Sequence, residues 1–315
     1  MLRSKSVLNL SLLSGQYSLL NQSTKTIATG FFAAIAVIFV WSSWLVVSRA
    51  GATSELTIFD MTALRFGISG VIALPIVFYY KPWKTLSILR IFLLSFILGP
   101  AYLFAVFGGF SLAPVAHGGA FMNGLLPIMS LTIGYLYFKN KVTNLQRIGA
   151  LVILISCGIL SFSAEGINLS DSWLGDLLFV VGGLFFSIYV ICNPAWKLNA
   201  THVLLSGSVI NALYYIPIWY FFLPSGFSRA SEGDIFLQAL FQGLVPTFLG
   251  LLLIGYAART VGSTTTSTMM AAVPGIGTIL GVIFLGEILE PIGWMALGTL
   301  TCGIFVTSLP TRNPI

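Results

Sequence analysis

Two short strings, WSSW at 41–44 and AFMNGLLP at 120–127, hold the side chains best suited to grip a small molecule inside an otherwise apolar chain. Asn123 is the leading candidate, because an amide surrounded by Ala, Phe, Met and Leu needs a partner and can donate and accept at once. Its plainer role is a hydrogen bond to a neighbouring helix. Trp41 and Trp44 offer flat apolar walls, and Tyr102, Tyr189, Asn193 and Thr266 join them as candidate contacts. Trp44 and Tyr189 would also fit an aromatic belt at a membrane interface. Thr266 lies in the run Thr264, Thr265, Thr266, Ser267, Thr268, whose hydroxyls could line a polar path or bond the carbonyls four residues back. Two groups carry charge chemistry. Arg65 stands in an apolar run where a cation is costly unless paired, and Asp60, five residues earlier, is off its helical face. Anchoring to an interface or to carbonyls is its expected role, and attraction of an anionic group is the alternative. His117 is the candidate for proton binding, since an imidazole is the side-chain type suited to it near neutral pH, with a structural hydrogen bond as its plainer use. Pro127 and Pro274 each remove one helical N–H and free a carbonyl one turn back.

The elements that position these residues follow from composition. With 57% hydrophobic and 8% charged residues and a mean hydropathy of +0.96, too little polar surface exists to cover a soluble globule. Each crossing of roughly 30 Å of hydrocarbon needs about 20 apolar residues. Apolar runs bounded by charges or Pro predict ten spans, at about 27–48, 57–80, 87–110, 115–138, 145–163, 172–193, 201–222, 234–257, 263–286 and 291–309. Residues 1–26 read as a cytoplasmic tail rather than a signal peptide, since Asn9, Ser11, Ser14, Gly15 and Gln16 interrupt the apolar stretch. Cys157, Cys192 and Cys302 fall in apolar runs without metal-ligand spacing and read as core residues.

The net charge of +6 reflects topology rather than nucleic-acid binding. With the N-terminus inside, Arg3, Lys5, Lys25, Lys81, Lys84, Arg90, Lys139, Lys141, Arg147, Lys197, Arg259 and Arg312, twelve of the 15 basic residues, lie on the cytoplasmic side. All nine acidic residues, Glu55, Asp60, Glu165, Asp171, Asp176, Glu232, Asp234, Glu287 and Glu290, fall on or near the other. Both termini are therefore predicted inside.

The chain also repeats itself at an offset of about 145 residues. Gly30, Trp41, Trp44 and Ser48 fall on Gly175, Phe186, Tyr189 and Asn193; Pro100 and Tyr102 fall on Pro246 and Phe248. Ala116, Gly119, Asn123, Pro127, Ser130 and Gly134 fall on Ser263, Thr266, Met270, Pro274, Gly277 and Gly281. Five spans are an odd number, so the second half starts from the opposite side, and the expected architecture is an all-α integral membrane protein of two inverted five-helix repeats, 27–163 and 172–309. Small residues on the fourth and ninth spans suit close helix packing. Paired prolines at matching depth additionally point to a central site between the first, fourth, sixth and ninth spans.

WSSW (41–44), LRF (64–66), APVAHGGAFMNGLLP (113–127) and GSTTTSTMMAAVPGIGTILGVIFLGE (262–287) together resemble the EamA-type ten-helix transporters of the drug/metabolite transporter superfamily, over residues 27–309. One departure is FKNK (138–141), where that family often closes the fourth span with an acid. The resemblance implies export or exchange of a small metabolite or drug across a bacterial inner membrane. A passive channel is the alternative. An intramembrane enzyme fits poorly, since neither GxSxG nor HExxH occurs and the two histidines lie on different halves. Without GxxxxGK[ST], no ATP site is expected, nor any cofactor or metal. The expected partners are a small-molecule solute and the lipid bilayer.

Overall fold

The computed structural model describes residues 4–139, 141–161 and 169–309. Arg3, Glu165 and Arg312 of the charge pattern, and Asn140 of FKNK, lie outside the described residues. Ten helices are long and apolar enough to cross a membrane: α1 (Thr26–Ala52), α2 (Ile58–Tyr80), α3 (Ile88–Leu112), α4 (Val115–Tyr137), α5 (Asn144–Ser161), α6 (Ser172–Ala195), α7 (Ala200–Phe222), α8 (Glu232–Thr260), α9 (Thr265–Leu285) and α10 (Pro291–Ser308). The helix carrying α1 begins at Ser4. The two inverted halves are α1–α5 and α6–α10.

Local sequence explains where the helices start and break. Thr57 caps α2 through a reciprocal pair of bonds with Asp60. Pro100 restarts α3 after Leu98 and Gly99, and Pro246 sits at the matching interruption of α8. Neither proline can supply the N–H that a continuous helix needs. Gly286 closes α9 with φ +66°, a left-handed conformation that costs glycine nothing.

The halves interdigitate rather than sitting side by side. α1 packs on α8 and α9, α6 on α3 and α4, α2 on α7 and α8, and α5 on α10. Small residues permit this closeness. A Cβ on Gly109 would stand 2.7 Å from the Phe179 ring, and one on Gly149 would stand 2.9 Å from the Gly303 carbonyl. α3 packs on both the first and the sixth spans.

Candidate functional site

Trp44 is buried, and its Nε1–H donates to Gln242 Oε1 at 2.8 Å. Gln242 in turn donates to Ser48 Oγ (3.1 Å) and Gln238 Oε1 (3.0 Å), and Gln238 donates to the Val47 carbonyl (2.7 Å). Two amides one turn apart on α8 therefore satisfy the buried polar groups of α1. This indole belongs to the interior and not to an interfacial belt. Trp41, one turn further along α1, is half-buried and faces Gly250, where any side chain would meet its Nε1 at 2.8 Å.

Arg65 on α2 lies against Trp44, with its guanidinium carbon 5.7 Å from the ring centroid, and interacts through space with the Tyr102 phenol. Its Nη1 is inaccessible and unpartnered, and among the described residues no carbonyl or carboxylate accepts from the guanidinium. The expected anchoring to carbonyls is therefore not what this geometry provides. A cation inside a span is costly unless paired, and the face of Trp44 offsets only part of that cost. The buried Nη1 is left without an acceptor.

From Tyr102 a chain of rings continues into the other half. Tyr102 stacks on Phe186 (6.4 Å, 24°), Phe186 meets Tyr189 at 5.5 Å, and Asn193 Nδ2 donates to the Tyr189 hydroxyl at 3.1 Å. Trp41, Trp44, Tyr102, Met122, Phe186 and Met270 all belong to one apolar cluster. The structure thus joins the first-half and second-half aromatics through α3.

Asn123 borders this cluster between Met122 and Gly124. It is half-buried, and its amide has no hydrogen-bond partner among the described residues. The backbone here forms a widened π turn, Gly118–Gly124, in which the Leu125 N–H reaches back to the Ala120 carbonyl at 3.1 Å. Such turns recur at functional sites because they turn side chains and carbonyls out of the regular ladder. Pro127 is the second residue of the helix that restarts at Leu126. In α9 the matching break is a tight 3-10 turn, Met270–Ala272, with Pro274 the second residue of the restarted helix. The two breaks touch, since a Cβ on Gly119 would lie 3.0 Å from Pro274 Cα. Ser42 Oγ donates to the Val273 carbonyl at 3.1 Å and ties α1 to the same place. Thr266 is not part of this assembly, because its hydroxyl is engaged by its own Gly262 carbonyl at 2.9 Å.

His117 lies nearer the predicted outer end, fully buried, with Nδ1 2.7 Å from Asp176 Oδ1. Ser161 Oγ donates to the other Asp176 oxygen at 3.2 Å, and His117 Nε2 is buried without a partner. Asp176 was legible only as one of several outer acids. Its pairing with a residue 59 positions away depends on the α4–α6 contact. Glu287, likewise unassigned in sequence, accepts from the Val115 N–H at 3.0 Å and faces Arg49 Nε at 3.4 Å. Arg49 also donates to the Phe110 carbonyl. Gln238 and Gln242 carried a usable signal, two amides at i, i+4 in an apolar helix. Among the described residues no group of three or more His, Cys, Asp or Glu could hold a metal ion.

Ten membrane-length helices in two interlocked, inverted halves, with aromatics gathered where the halves meet, define a multi-pass membrane protein of two repeats. The EamA-like transporter family model matches residues 28–162 and again 173–309, so the chain belongs to the EamA-like transporter family. It is 22% identical over 207 residues to the uncharacterized transporter YwfM of Bacillus subtilis (strain 168), covering 63% of this chain and 66% of that one. It is 28% identical over 146 residues to the threonine/homoserine exporter RhtA of Escherichia coli (strain K12), covering 44% of this chain and 46% of the exporter. The matched regions thus span less than two thirds of the length of these curated relatives. A solved crystal structure superposes with a TM-score of 0.60 at 18% identity, over 89% of this chain and 96% of that chain, and shows the same fold. The chain is a multi-pass membrane protein of a transporter family.

Proposed function

We propose that the protein is a secondary carrier that exports or exchanges a small organic metabolite by alternating access, and has no enzymatic activity. The observation that carries this reading is the convergence of Trp41, Tyr102, Met122 and Phe186 from both halves beside two helix breaks in mutual contact, with Asn123 next to Met122 on one of those breaks. Inverted halves that rock about a fixed midplane site expose it to each side in turn, and interrupted helices supply the local freedom for that motion. The half-buried Asn123 amide, without a hydrogen-bond partner among the described residues, is free to donate to and accept from a solute, which supports it as a contact. The named activity of RhtA favours export as the direction. The bias of basic residues favours cytoplasmic termini in a bacterial inner membrane. His117, backed by Asp176, is the group we assign to proton coupling, and Pro127 and Pro274 are the pivots.

The test is flux in proteoliposomes. Asn123→Ala and Trp41→Ala are expected to lower saturable counterflow at least tenfold while the protein elutes as a folded species. Wild-type flux from both would remove the site assignment, and flux without counterflow would favour a passive channel.

A further inference from the structure

Among the described residues no ion pair includes Arg65, and several acids are engaged elsewhere. Asp60, on the same helix, accepts from the Thr57 N–H (2.9 Å), Trp219 Nε1 (2.9 Å) and the Gly226 N–H (2.7 Å). Asp176 is held by His117 and Ser161, Glu287 by Val115 and Arg49, and Glu55 by Arg229. Asp234 accepts from Ser231 at the start of α8, and Glu290 stands at the N-terminus of α10. Among the described residues Arg65 is therefore a membrane-embedded cation with no acid and no carbonyl, held only against the Trp44 face. The inaccessible Nη1 has a specific direction but nothing to bond.

A guanidinium presents its N–H groups as a planar fork that matches a carboxylate with two parallel bonds. We propose that Arg65 anchors a carboxylate of the transported solute, which makes the substrate class a monocarboxylate whose remaining body lies along Tyr102, Phe186 and Tyr189. This rests on the carrier reading above. The charge count selects the class. One unpaired cation balances one negative charge, whereas a phosphate monoester carries about −1.5 to −2 at neutral pH and would leave a net charge in the membrane. The stacked rings beyond Tyr102 offer apolar faces and, at Tyr189 and Asn193, only neutral polar groups, so the anionic group belongs at the Arg65 end and the apolar part toward α6.

The experiment uses the full chain in nanodiscs and proteoliposomes. The probes are phenylacetate, 3-phenylpropionate, phenyllactate and 4-methylpentanoate, the carboxamide of each, and phenyl phosphate. At least one acid should bind at least tenfold more tightly than its carboxamide and than phenyl phosphate, and should show counterflow. Arg65→Gln and Arg65→Lys should both lose that tenfold preference, since lysine keeps the charge but not the fork. Lys84→Gln, which removes a charge from an exposed loop, should leave it unchanged. Each variant is compared by size-exclusion elution, and Arg65→Lys keeps the test open should Arg65→Gln not fold. Equal binding of acids and carboxamides, a preference for the phosphate, an unchanged preference in both Arg65 variants, or no binding by any acid would overturn the proposal. If Asn123→Ala and Trp41→Ala lower flux while the Arg65 variants do not, the site stands and the anchor falls. If none of the four variants alters flux, both fall.

Discussion

At the scale of single residues, the informative side chains are those whose polar atoms are accounted for beside those whose atoms are not. Trp44 has a matched partner in Gln242, whereas Nη1 of Arg65, which lies over the Trp44 ring, has none, and no hydrogen bond engages the half-buried Asn123 amide among the described residues. The first arrangement builds the wall and the second is what a wall encloses. Trp44→Phe tests the division, because it keeps a ring under Arg65 while deleting one neutral hydrogen bond and leaving Gln242 Oε1 buried without its donor. The expected cost is about 1–3 kcal/mol of stability, read as a lower melting temperature, with counterflow nearly intact. Trp44→Ala removes the ring as well, and counterflow should fall with it. Sequence pointed to Asn123, Trp41 and Arg65 through their types alone, because an amide, an indole and a cation are all anomalous in apolar runs. Asp176 and Glu287 escaped notice since an acid near a span end is ordinary. Only the packing of distant helices gives those two a partner.

Elements were the more legible level. The apolar runs located all ten helices to within a few residues, because hydrocarbon thickness fixes length and polar groups fix the ends. Internal matches at Pro100/Pro246 and Pro127/Pro274 marked real interruptions, but not their form. One break in the last pair is a π turn and the other a 3-10 turn, a difference set by which neighbour fills the space. Partner choice was not legible either. α1 seats on α8 and α9 because Gly250 and Gly277 leave room for Trp41 and Leu45, a match between surfaces that no periodicity encodes. Three helix ends adopt left-handed geometry at Lys81, Lys139 and Lys197 instead of glycine, with φ of 51°, 55° and 51°. All three lie at the predicted inner end, where a cation at a helix C-terminus offsets part of the backbone cost. The closest helix pair is α5 with α10, where Gly149 meets Thr307 and the Gly303 carbonyl. Gly149→Ala places a methyl 2.7 Å from Thr307 Cγ2 and 2.9 Å from that carbonyl, so overpacking should cost about 1–3 kcal/mol. If this pair is a static brace, thermal stability drops while the solute affinity of the surviving protein stays constant; a changed affinity would place α5 and α10 among the moving parts.

For the whole molecule, the distribution of charge contacts is lopsided. All three ion pairs among the described residues, Arg49–Glu287, Arg229–Glu55 and His117–Asp176, stand at or toward the end where α1 joins α2 and α3 joins α4. The opposite end is linked without an ion pair among the described residues, by contacts such as Thr85 with His202 at 2.8 Å and the Arg90 guanidinium 5.8 Å from the Trp196 ring. The ion pairs thus fasten the predicted outer end, and Glu287 is the centre of this clamp because it joins the end of α1 to the start of α4 from the segment after α9. Burial pushes its carboxyl above the ordinary carboxylate range, against the opposing pull of the Val115 N–H and Arg49. The sign of the linkage follows. A carboxyl raised in the folded state is stabilised by protonation, so wild type should gain stability relative to Glu287→Gln as pH falls through that raised value toward the usual value of about 4.3. At neutral pH Glu287→Gln should lower the melting temperature, since it leaves the largely buried Arg49 cation without its acid. It should also shift the balance of conformations. In a background with Cys157, Cys192 and Cys302 replaced, a cysteine at Ala116, buried beside this clamp, is expected to react with a membrane-impermeant maleimide several-fold faster once Glu287 is glutamine. Unchanged labelling would make Arg49–Glu287 a fastening of the fold, and the closure of that end would then have to rest on the apolar packing of α1 against α4 and α9.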